Sequence, residues 1–240
     1  MVSKPHRQVI KYNFYRVRPE WRRLDERERE AGKVEFAAVV EEAAAHMQVR
    51  SYSLVGVRAD ADLLLWCIGS SLEEHQELAI MLNRTRLAPY LETPYSYLAM
   101  TNRSQYVDDH VHQGQEGTRL TVKPGGAPYL IVYPFVKTRA WYALPKEERQ
   151  QIMDTHFAVG HKYPTVRINT GYSFGLDDQE FVLAFETNSL SDFLDLVMEL
   201  RETKSSSYTL RDTPIFTAIA RSLRECLDAL GAIGIAGPRW

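Results

Sequence analysis

The sequence predicts an α+β protein in which two duplicated ferredoxin-like (split βαβ) units form a dimeric α+β barrel within one chain. Three observations lead to this fold class. Each half of the chain reads as strand, helix, strand, strand, helix, strand. Trp21 and Trp141 lie 120 residues apart, each after a strand-like stretch, and Gly56 and Gly175 lie 119 residues apart before similar acidic turns. A spacing that stays nearly constant across several elements indicates an internal duplication.

The first half begins with the alternating apolar residues of VIKYNFYRV, which predict a strand. The helical apolar period of FAAVVEEAAAHM predicts a helix, and RSYSLVGV and ADLLLWCIG follow as a strand pair. A second helix, SSLEEHQELAIMLNRTRL, precedes the closing strand YSYLAMT. We therefore predict an N-terminal ferredoxin-like half over residues 1–115.

The second half repeats this order. YLIVYPFVKT predicts a strand, RAWYALPKEERQQIMDTHFAVGHKY a helix, and VRINTGYSFG and EFVLAFET a strand pair. SLSDFLDLVMELRET is the second helix, and TPIFTAIA either closes the sheet or begins the last helix. Asp177, Asp178 and Glu180 match the acidic turn of the first half, so we interpret them as turn residues, not as an acid–base or metal site. This half is predicted to occupy residues 116–240.

The composition excludes several classes of function. A net charge of −2 gives no basic excess for binding nucleic acid. No apolar run approaches the ~20 residues that a membrane span needs. The opening MVSKPHRQ leads into no apolar segment, so we expect no signal peptide. Cys67 and Cys226 are far apart and are interpreted as free thiols, which favours a cytoplasmic protein.

Two histidines near the end of the helix in the second half raise the question of a bound group. One apolar stripe of this helix comprises Ile152, Met153, His156, Phe157 and Gly160. His156 lies within the stripe, whereas His161 lies about 100° from Gly160, near the C-terminal end of the helix dipole, and is interpreted as solvated. Gly160 costs ~1 kcal/mol relative to Ala and leaves room for a flat group. His156 is therefore either an axial ligand of a porphyrin iron or a core histidine bonded to the backbone.

Three stretches of the second half resemble one family. They are YPFVKTRAWYALPKEERQQIMDTHFAVGHKYP, YSFGLDDQEFVLAFET and MELRETKSSSYTLRDTPIF. They are similar to the C-terminal half of the chlorite dismutase-like haem proteins and most similar to coproheme decarboxylases. The resemblance covers residues 129–217 and is weak in the first half, where only the element order agrees. It implies a duplicated ferredoxin-like fold, a haem-type cofactor held by the C-terminal half, and assembly as a homopentamer.

The resemblance also implies roles for five residues. His156 corresponds to the proximal haem ligand. Tyr133 corresponds to the redox-active tyrosine and Lys137 to a lysine that assists at a propionate. Four residues apart on a strand, Tyr133 and Lys137 share one face and lie ~13 Å apart, which suits the width of a porphyrin. Arg119 and Ser206 correspond to side chains that bind the propionates.

One position of the resemblance stays open. Chlorite dismutases carry an arginine above the iron, and their spacing leads to Ile168 counted from Gly175 and to Asn169 counted from His156. Arg167 is one or two residues away, and a shift of one residue reverses the face of a strand. Either a bulge brings Arg167 to the iron, or Ile168 faces it.

We predict a peroxide-dependent decarboxylase that converts iron coproporphyrin III (coproheme) to haem b, with the porphyrin as substrate and redox centre and hydrogen peroxide as co-substrate. The alternative enzyme is a chlorite dismutase or haem peroxidase, which a distal Arg167 would favour. A non-catalytic haem carrier or sensor is the alternative outside enzymes. Tyr133 and Lys137 argue against a carrier, because binding alone needs neither residue.

Overall fold

The computed structural model describes residues 7–106 and 121–231. The predicted boundary between residues 115 and 116 lies outside these residues and stays a prediction. In the part of the chain that the structure describes, no helix combines the length and the apolar character that crossing a membrane requires.

The chain divides into two compact units that interleave in sequence. We call the described part of residues 9–97 and 218–240 the N-terminal unit, and the described part of residues 98–217 and 1–8 the C-terminal unit. Each unit therefore takes a short segment from the opposite end of the chain.

The N-terminal unit begins with a ferredoxin-like order of elements. These elements are β1 (Val9–Val17), α1 (Glu26–Ala43), β2 (Gln48–Ser53), β3 (Leu63–Gly69), α2 (Leu72–Leu82) and β4 (Leu91–Met100), whose last residues pass into the other unit. The strand order is β4-β1-β3-β2, and β3 is antiparallel to both β1 and β2. Helix α1 begins where the carboxylate of Asp25 accepts a hydrogen bond from the backbone N–H of Glu28 at 2.9 Å.

The C-terminal unit repeats that order, and its short helix α3 (Arg139–Ala143) lies at the position of a 3-10 helix, Pro19–Arg23, of the N-terminal unit. Its elements are β5 (Tyr129–Lys137), α3, α4 (Lys146–Gly160), β6 (Val166–Tyr172), β7 (Phe181–Thr187), α5 (Leu190–Glu202) and β8 (Thr209–Arg211). Strand β7 pairs antiparallel with both β5 and β6, and β8 pairs with the end of β5. The stretch TPIFTAIA contributes a strand, β9 (Phe216–Ala220), along which the chain returns to the N-terminal unit at Ala218 before α6 (Leu223–Ala229).

The duplication extends to individual contacts. Strands β1 and β5 have equal length and lie 120 residues apart, as do the first residues of α1 and α4. The rings of Trp21 and Tyr90 have centroids 5.7 Å apart, and those of Trp141 and Tyr208 have centroids 5.5 Å apart. The predicted α+β class with duplicated ferredoxin-like units is confirmed, and the two units can be compared position by position.

Candidate functional site

The two units differ in how they fill the interior on the helix side of the sheet. In the N-terminal unit, strands and helices contribute to one large buried cluster: Val17, Trp21, Phe36, Val40, Met47, Leu63, Leu65, Cys67, Leu78, Leu82, Leu87, Cys226, Leu227 and Leu230. In the described part of the C-terminal unit, the corresponding face carries a buried cluster of Ile131, Tyr133 and Phe185. Among the described residues, the C-terminal unit thus has the same framework around a smaller buried apolar cluster on this face.

Helix α4 changes at two interior positions relative to α1. Phe36 and Val40 of α1 are buried in the core cluster, and at the spacing of 120 residues they correspond to His156 and Gly160 of α4. A Cβ atom added at Gly160 would meet no heavy atom of the described residues within 4 Å. Where the N-terminal unit has two apolar side chains, the C-terminal unit therefore has an imidazole beside open space.

Two further interior positions change from apolar to polar. Val17 at the end of β1 corresponds to Lys137 at the end of β5. Leu87 lies three residues before Tyr90 and corresponds to Ser205, three residues before Tyr208. Val17, Lys137, Leu87 and Ser205 are all buried. Since burial of an amine or hydroxyl carries a desolvation cost that apolar residues avoid, the fold alone does not require Lys137 or Ser205.

His156 has the properties of a metal ligand. Burial lowers the pKa of its imidazole to about 4, and the positive charge of Lys137 contributes to the shift. The ring is therefore neutral near pH 7, as metal binding requires. Its Nδ1 atom is buried and has no hydrogen-bond partner among the described residues. His161, just past the end of α4, is exposed, as the helical period predicted.

One histidine is sufficient for one kind of metal site. Among the described residues, no group of three or more His, Cys, Asp or Glu side chains could hold a metal ion. A porphyrin brings four nitrogen ligands of its own, so its iron needs only one axial ligand from the protein. Among the described residues, His156 is a neutral imidazole beside the open surface at Gly160, the combination that such a ligand requires.

Lys137 is fixed at both ends. Its Nζ donates hydrogen bonds to the carbonyl oxygen of Ser205 at 2.7 Å and to the Ser205 hydroxyl at 3.0 Å, and lies 4.7 Å from the centroid of the Trp141 ring. Its backbone N–H donates to Glu180 Oε2 at 2.9 Å, and the Tyr142 hydroxyl donates to the same oxygen at 2.6 Å. Burial lowers the pKa of the Lys137 amine to about 8, against the opposing effect of Glu180. The amine is therefore a cation near pH 7 that gives up its proton more readily than an ordinary lysine.

Tyr133 is a buried, neutral phenol. Its ring stacks on Phe185 with centroids 5.7 Å apart. Burial raises the pKa of Tyr133, the negative charge of Asp212 raises it further, and Arg201 acts in the opposite direction. Arg201 and Asp212 form an ion pair with each other. The phenol therefore keeps its hydrogen near neutral pH.

The register of β6 decides which of two neighbouring residues shares the Tyr133 face. Ile168 is paired with Phe185, whose ring stacks on Tyr133, whereas Arg167 is paired with Glu186. Paired residues point to the same side of a sheet, so Ile168 lies on the Tyr133 face and Arg167 on the opposite face. The pairing of β6 with β7 runs without a break from Val166 to Tyr172. The bulge that would have brought Arg167 to the iron is therefore absent from this strand.

Arg167 lies near the loop at Gly125, not on the face that Tyr133 and Ile168 share. A Cβ atom added at Gly125 would lie 3.1 Å from Arg167 Nη1. Buried Glu186 accepts hydrogen bonds from the backbone N–H groups of Gly125 and Gly126, at 2.7 and 2.9 Å to Oε1, and from the side-chain amide of Asn169 at 3.0 Å. Arg167 thus lies near a glycine loop anchored by a carboxylate, while Ile168 is 43% exposed.

The remaining sequence predictions have mixed outcomes. Ser206 is half-buried in a short 3-10 turn, with its backbone N–H donating to Thr203 at 3.0 Å, and its neighbour Ser205 makes the contacts with Lys137. Arg119 lies outside the described residues. Asp177 acts as a turn residue, since it accepts the backbone N–H of Asp178 at 2.9 Å.

Sequence reasoning missed Ser205, Glu180, Arg201 and Asp212 as members of this site. Glu180 lies in the bend before β7, as interpreted, and its buried carboxylate also accepts hydrogen bonds from the Lys137 backbone N–H and the Tyr142 hydroxyl. For Ser205, the duplication was an available signal. An alignment of the two halves pairs the apolar Leu87 of the first with the polar Ser205 of the second.

Comparison with known proteins gives a consistent result. A family model described as chlorite dismutase matches residues 27–221. A protein named coproheme decarboxylase from Mycolicibacterium smegmatis is 33% identical over 180 residues, which cover 75% of each chain. A solved chlorite dismutase variant from Candidatus Nitrospira defluvii superposes with a TM-score of 0.85 at 27% identity, covering 93% of this chain and 95% of that one. A haem-binding protein from Thermus thermophilus superposes with a TM-score of 0.82 at 24% identity, covering 92% and 94%, and supports the fold.

Proposed function

The chain belongs to the chlorite dismutase family, and from this premise we propose that it is a coproheme decarboxylase, which uses hydrogen peroxide to convert iron coproporphyrin III to haem b. One observation carries the proposal. Phe36 and Val17 belong to the large buried cluster of the N-terminal unit, and the residues at the equivalent positions of the C-terminal unit are His156 and Lys137, beside a smaller buried cluster. Tyr133 and Phe135 share one face of β5, and the Lys137 amine lies 5.3 Å from the centroid of the Phe135 ring, so Lys137 is on the Tyr133 side of the strand.

The residues present fit an iron porphyrin. The neutral imidazole of His156 would bind the iron, and the open surface at Gly160 would accept the flat ring. Lys137 would pair with a propionate carboxylate, and Arg119 and Ser206 would bind the other carboxylates. When bound, the iron porphyrin supplies the redox chemistry by which peroxide acts as a two-electron oxidant.

The overall reaction balances for each propionate. A –CH2–CH2–COOH group becomes –CH=CH2 and CO2, while one hydrogen peroxide takes up two electrons and two protons to give two waters. The Tyr133 phenol passes on one electron and its proton, and its oxygen then takes a hydrogen atom from the propionate β-carbon. The second electron leaves the porphyrin side chain as CO2 is lost and, with the carboxyl proton, completes the reduction of peroxide to water. Lys137 holds the carboxylate and exchanges a proton with it.

Two features distinguish this function from its alternatives. Chlorite dismutation draws on an arginine above the iron, whereas here the apolar Ile168 shares the Tyr133 face and Arg167 points away from it. A haem carrier or sensor needs the ligand His156 but neither a buried phenol nor a buried ammonium group. We include in the proposal a homopentameric assembly and a cytoplasmic location, the latter consistent with the free thiols of Cys67 and Cys226.

The proposal is tested by titrating the protein, loaded with iron coproporphyrin III, with peroxide and separating the porphyrins by mass. Wild type is expected to give a three-propionate intermediate and then haem b. Tyr133→Phe should bind the porphyrin but lose at least about a hundredfold in conversion, because the ring remains and the O–H group is gone. Tyr163→Phe is the matched control, since its hydroxyl bonds to Glu199 at 3.2 Å outside the proposed site. Full conversion by Tyr133→Phe would contradict the mechanism.

A further inference from the structure

Ser205 makes two direct contacts with the amine of Lys137. Its carbonyl and its hydroxyl both accept hydrogen bonds from Nζ, at 2.7 and 3.0 Å, and the serine is almost completely buried. The backbone carbonyl is itself fixed, because the N–H of Tyr208 also donates to it at 3.3 Å. Ser205 is therefore a rigid acceptor for a long and otherwise flexible side chain.

The N-terminal unit indicates that this pair is not needed for folding. There the equivalent positions are occupied by Val17 and Leu87, both buried in the apolar cluster. The aromatic pair beside these positions is present in both units, as Trp21 with Tyr90 and as Trp141 with Tyr208. The framework is thus unchanged, and the lysine and its serine acceptor replace two apolar residues together.

Building on the proposed function, we propose that Ser205 is a positioning residue for the decarboxylation that depends on Lys137. A lysine side chain has many rotamers, and fixing it in one of them has an entropic cost. The contacts with Ser205 and the Trp141 ring restrict the Lys137 side chain before the porphyrin binds. The ammonium group therefore already has its orientation when a propionate arrives. The role belongs to Ser205, whereas the neighbouring Ser206 is the propionate-side serine that the family resemblance implies.

The first test measures products. In the peroxide titration, Ser205→Ala should raise the ratio of three-propionate intermediate to haem b about fivefold, the effect of losing one of two hydrogen bonds to a cation. Ser205→Thr keeps the hydroxyl and should restore the wild-type ratio. Ser207→Ala is the matched control, because that hydroxyl is exposed and donates to Lys204 O at 2.8 Å. An unchanged ratio in Ser205→Ala would overturn the inference.

The second test needs no porphyrin. Lys137 in the ligand-free protein is acetylated at fixed pH, and its labelling rate is followed by mass spectrometry relative to that of the exposed Lys146. Ser205→Ala should label Lys137 about fivefold faster, and Ser205→Thr at the wild-type rate. A faster rate at Lys33 as well, which is buried in the N-terminal unit, would indicate general unfolding and count against a positioning role.

The two tests separate the two proposals. If wild type converts coproheme and Ser205→Ala changes neither the product ratio nor the labelling of Lys137, the inference about Ser205 fails alone. If wild type gives no haem b but labelling responds to Ser205→Ala and not to Ser205→Thr, the proposed function fails while the hold of Ser205 on Lys137 stands.

Discussion

Phenylalanine is the residue at the equivalent position of the N-terminal unit. His156→Phe should make the ligand-free protein more stable relative to wild type as the pH falls. In the folded chain the pKa of His156 is lowered from 6.5 to about 4 by burial and by Lys137. Between these values the unfolded chain binds a proton that the folded chain does not, so wild type loses stability as the pH falls from 6.5 towards 4. Phenylalanine has no such proton.

The magnitude follows from the two pKa values. From pH 7.5 to pH 5, proton binding by His156 in the unfolded chain lowers the free energy of unfolding of wild type by ~2 kcal/mol. The free energy of unfolding of His156→Phe minus that of wild type should therefore increase by about that amount. The difference cancels contributions from carboxylates that titrate equally in both proteins. Urea unfolding of the ligand-free proteins at the two pH values measures it.

The control for this prediction is Val159→Ala, which changes a half-buried side chain of α4 that carries no titratable group. It should give the same difference from wild type at both pH values. An equal His156→Phe difference at pH 7.5 and pH 5, or a larger change for Val159→Ala, would contradict the prediction. The same His156→Phe protein should also fail to give a histidine-ligated porphyrin spectrum, which ties the destabilising group to the proposed ligand.

Three further predictions concern the site and the assembly. Lys137→Met should raise the free energy of unfolding of the ligand-free protein near pH 7 by ~1–2 kcal/mol, as measured by urea unfolding. The lowered pKa of the amine corresponds to a burial cost of ~3 kcal/mol that methionine avoids, and the loss of two hydrogen bonds at Ser205 offsets part of this gain. The gain should shrink as the pH rises from 8 to 10.5, because the folded wild type then loses the proton that makes burial costly. Ile168→Arg should raise oxygen release from chlorite by roughly tenfold over wild type, measured with an oxygen electrode, whereas Arg167→Ala should leave haem b formation intact because Arg167 lies on the opposite face. Light scattering should give the mass of a pentamer, and a monomer at working concentration would remove that part of the proposal.

Periodicity and duplication were sufficient to predict the elements and the inward direction of His156. Helical spacing alone placed this residue on the apolar stripe, and its buried Nδ1 agrees with that placement. The choice between Arg167 and Ile168 could not be made from the sequence. One residue more or less in the preceding loop reverses which face of β6 each side chain occupies, and only the pairing of β6 with β7 fixes the register. Ser205 and Glu180 were missed because they contact Lys137 across 68 and 43 residues of sequence, a separation at which single-sequence patterns carry no signal.

The duplicated chain provides its own reference for what the fold needs and what the function adds. Both units keep the tryptophan–tyrosine pair, so this pair belongs to the framework. At the positions of Val17, Phe36 and Val40, however, the C-terminal unit has a buried amine, an imidazole whose Nδ1 is buried without a partner, and a helix glycine beside open space. Each of these features costs stability, and such departures from local rules concentrate at functional sites. Because the N-terminal unit fills the same positions with apolar side chains, the departures in the C-terminal unit are best explained by a group that binds there and supplies the missing contacts.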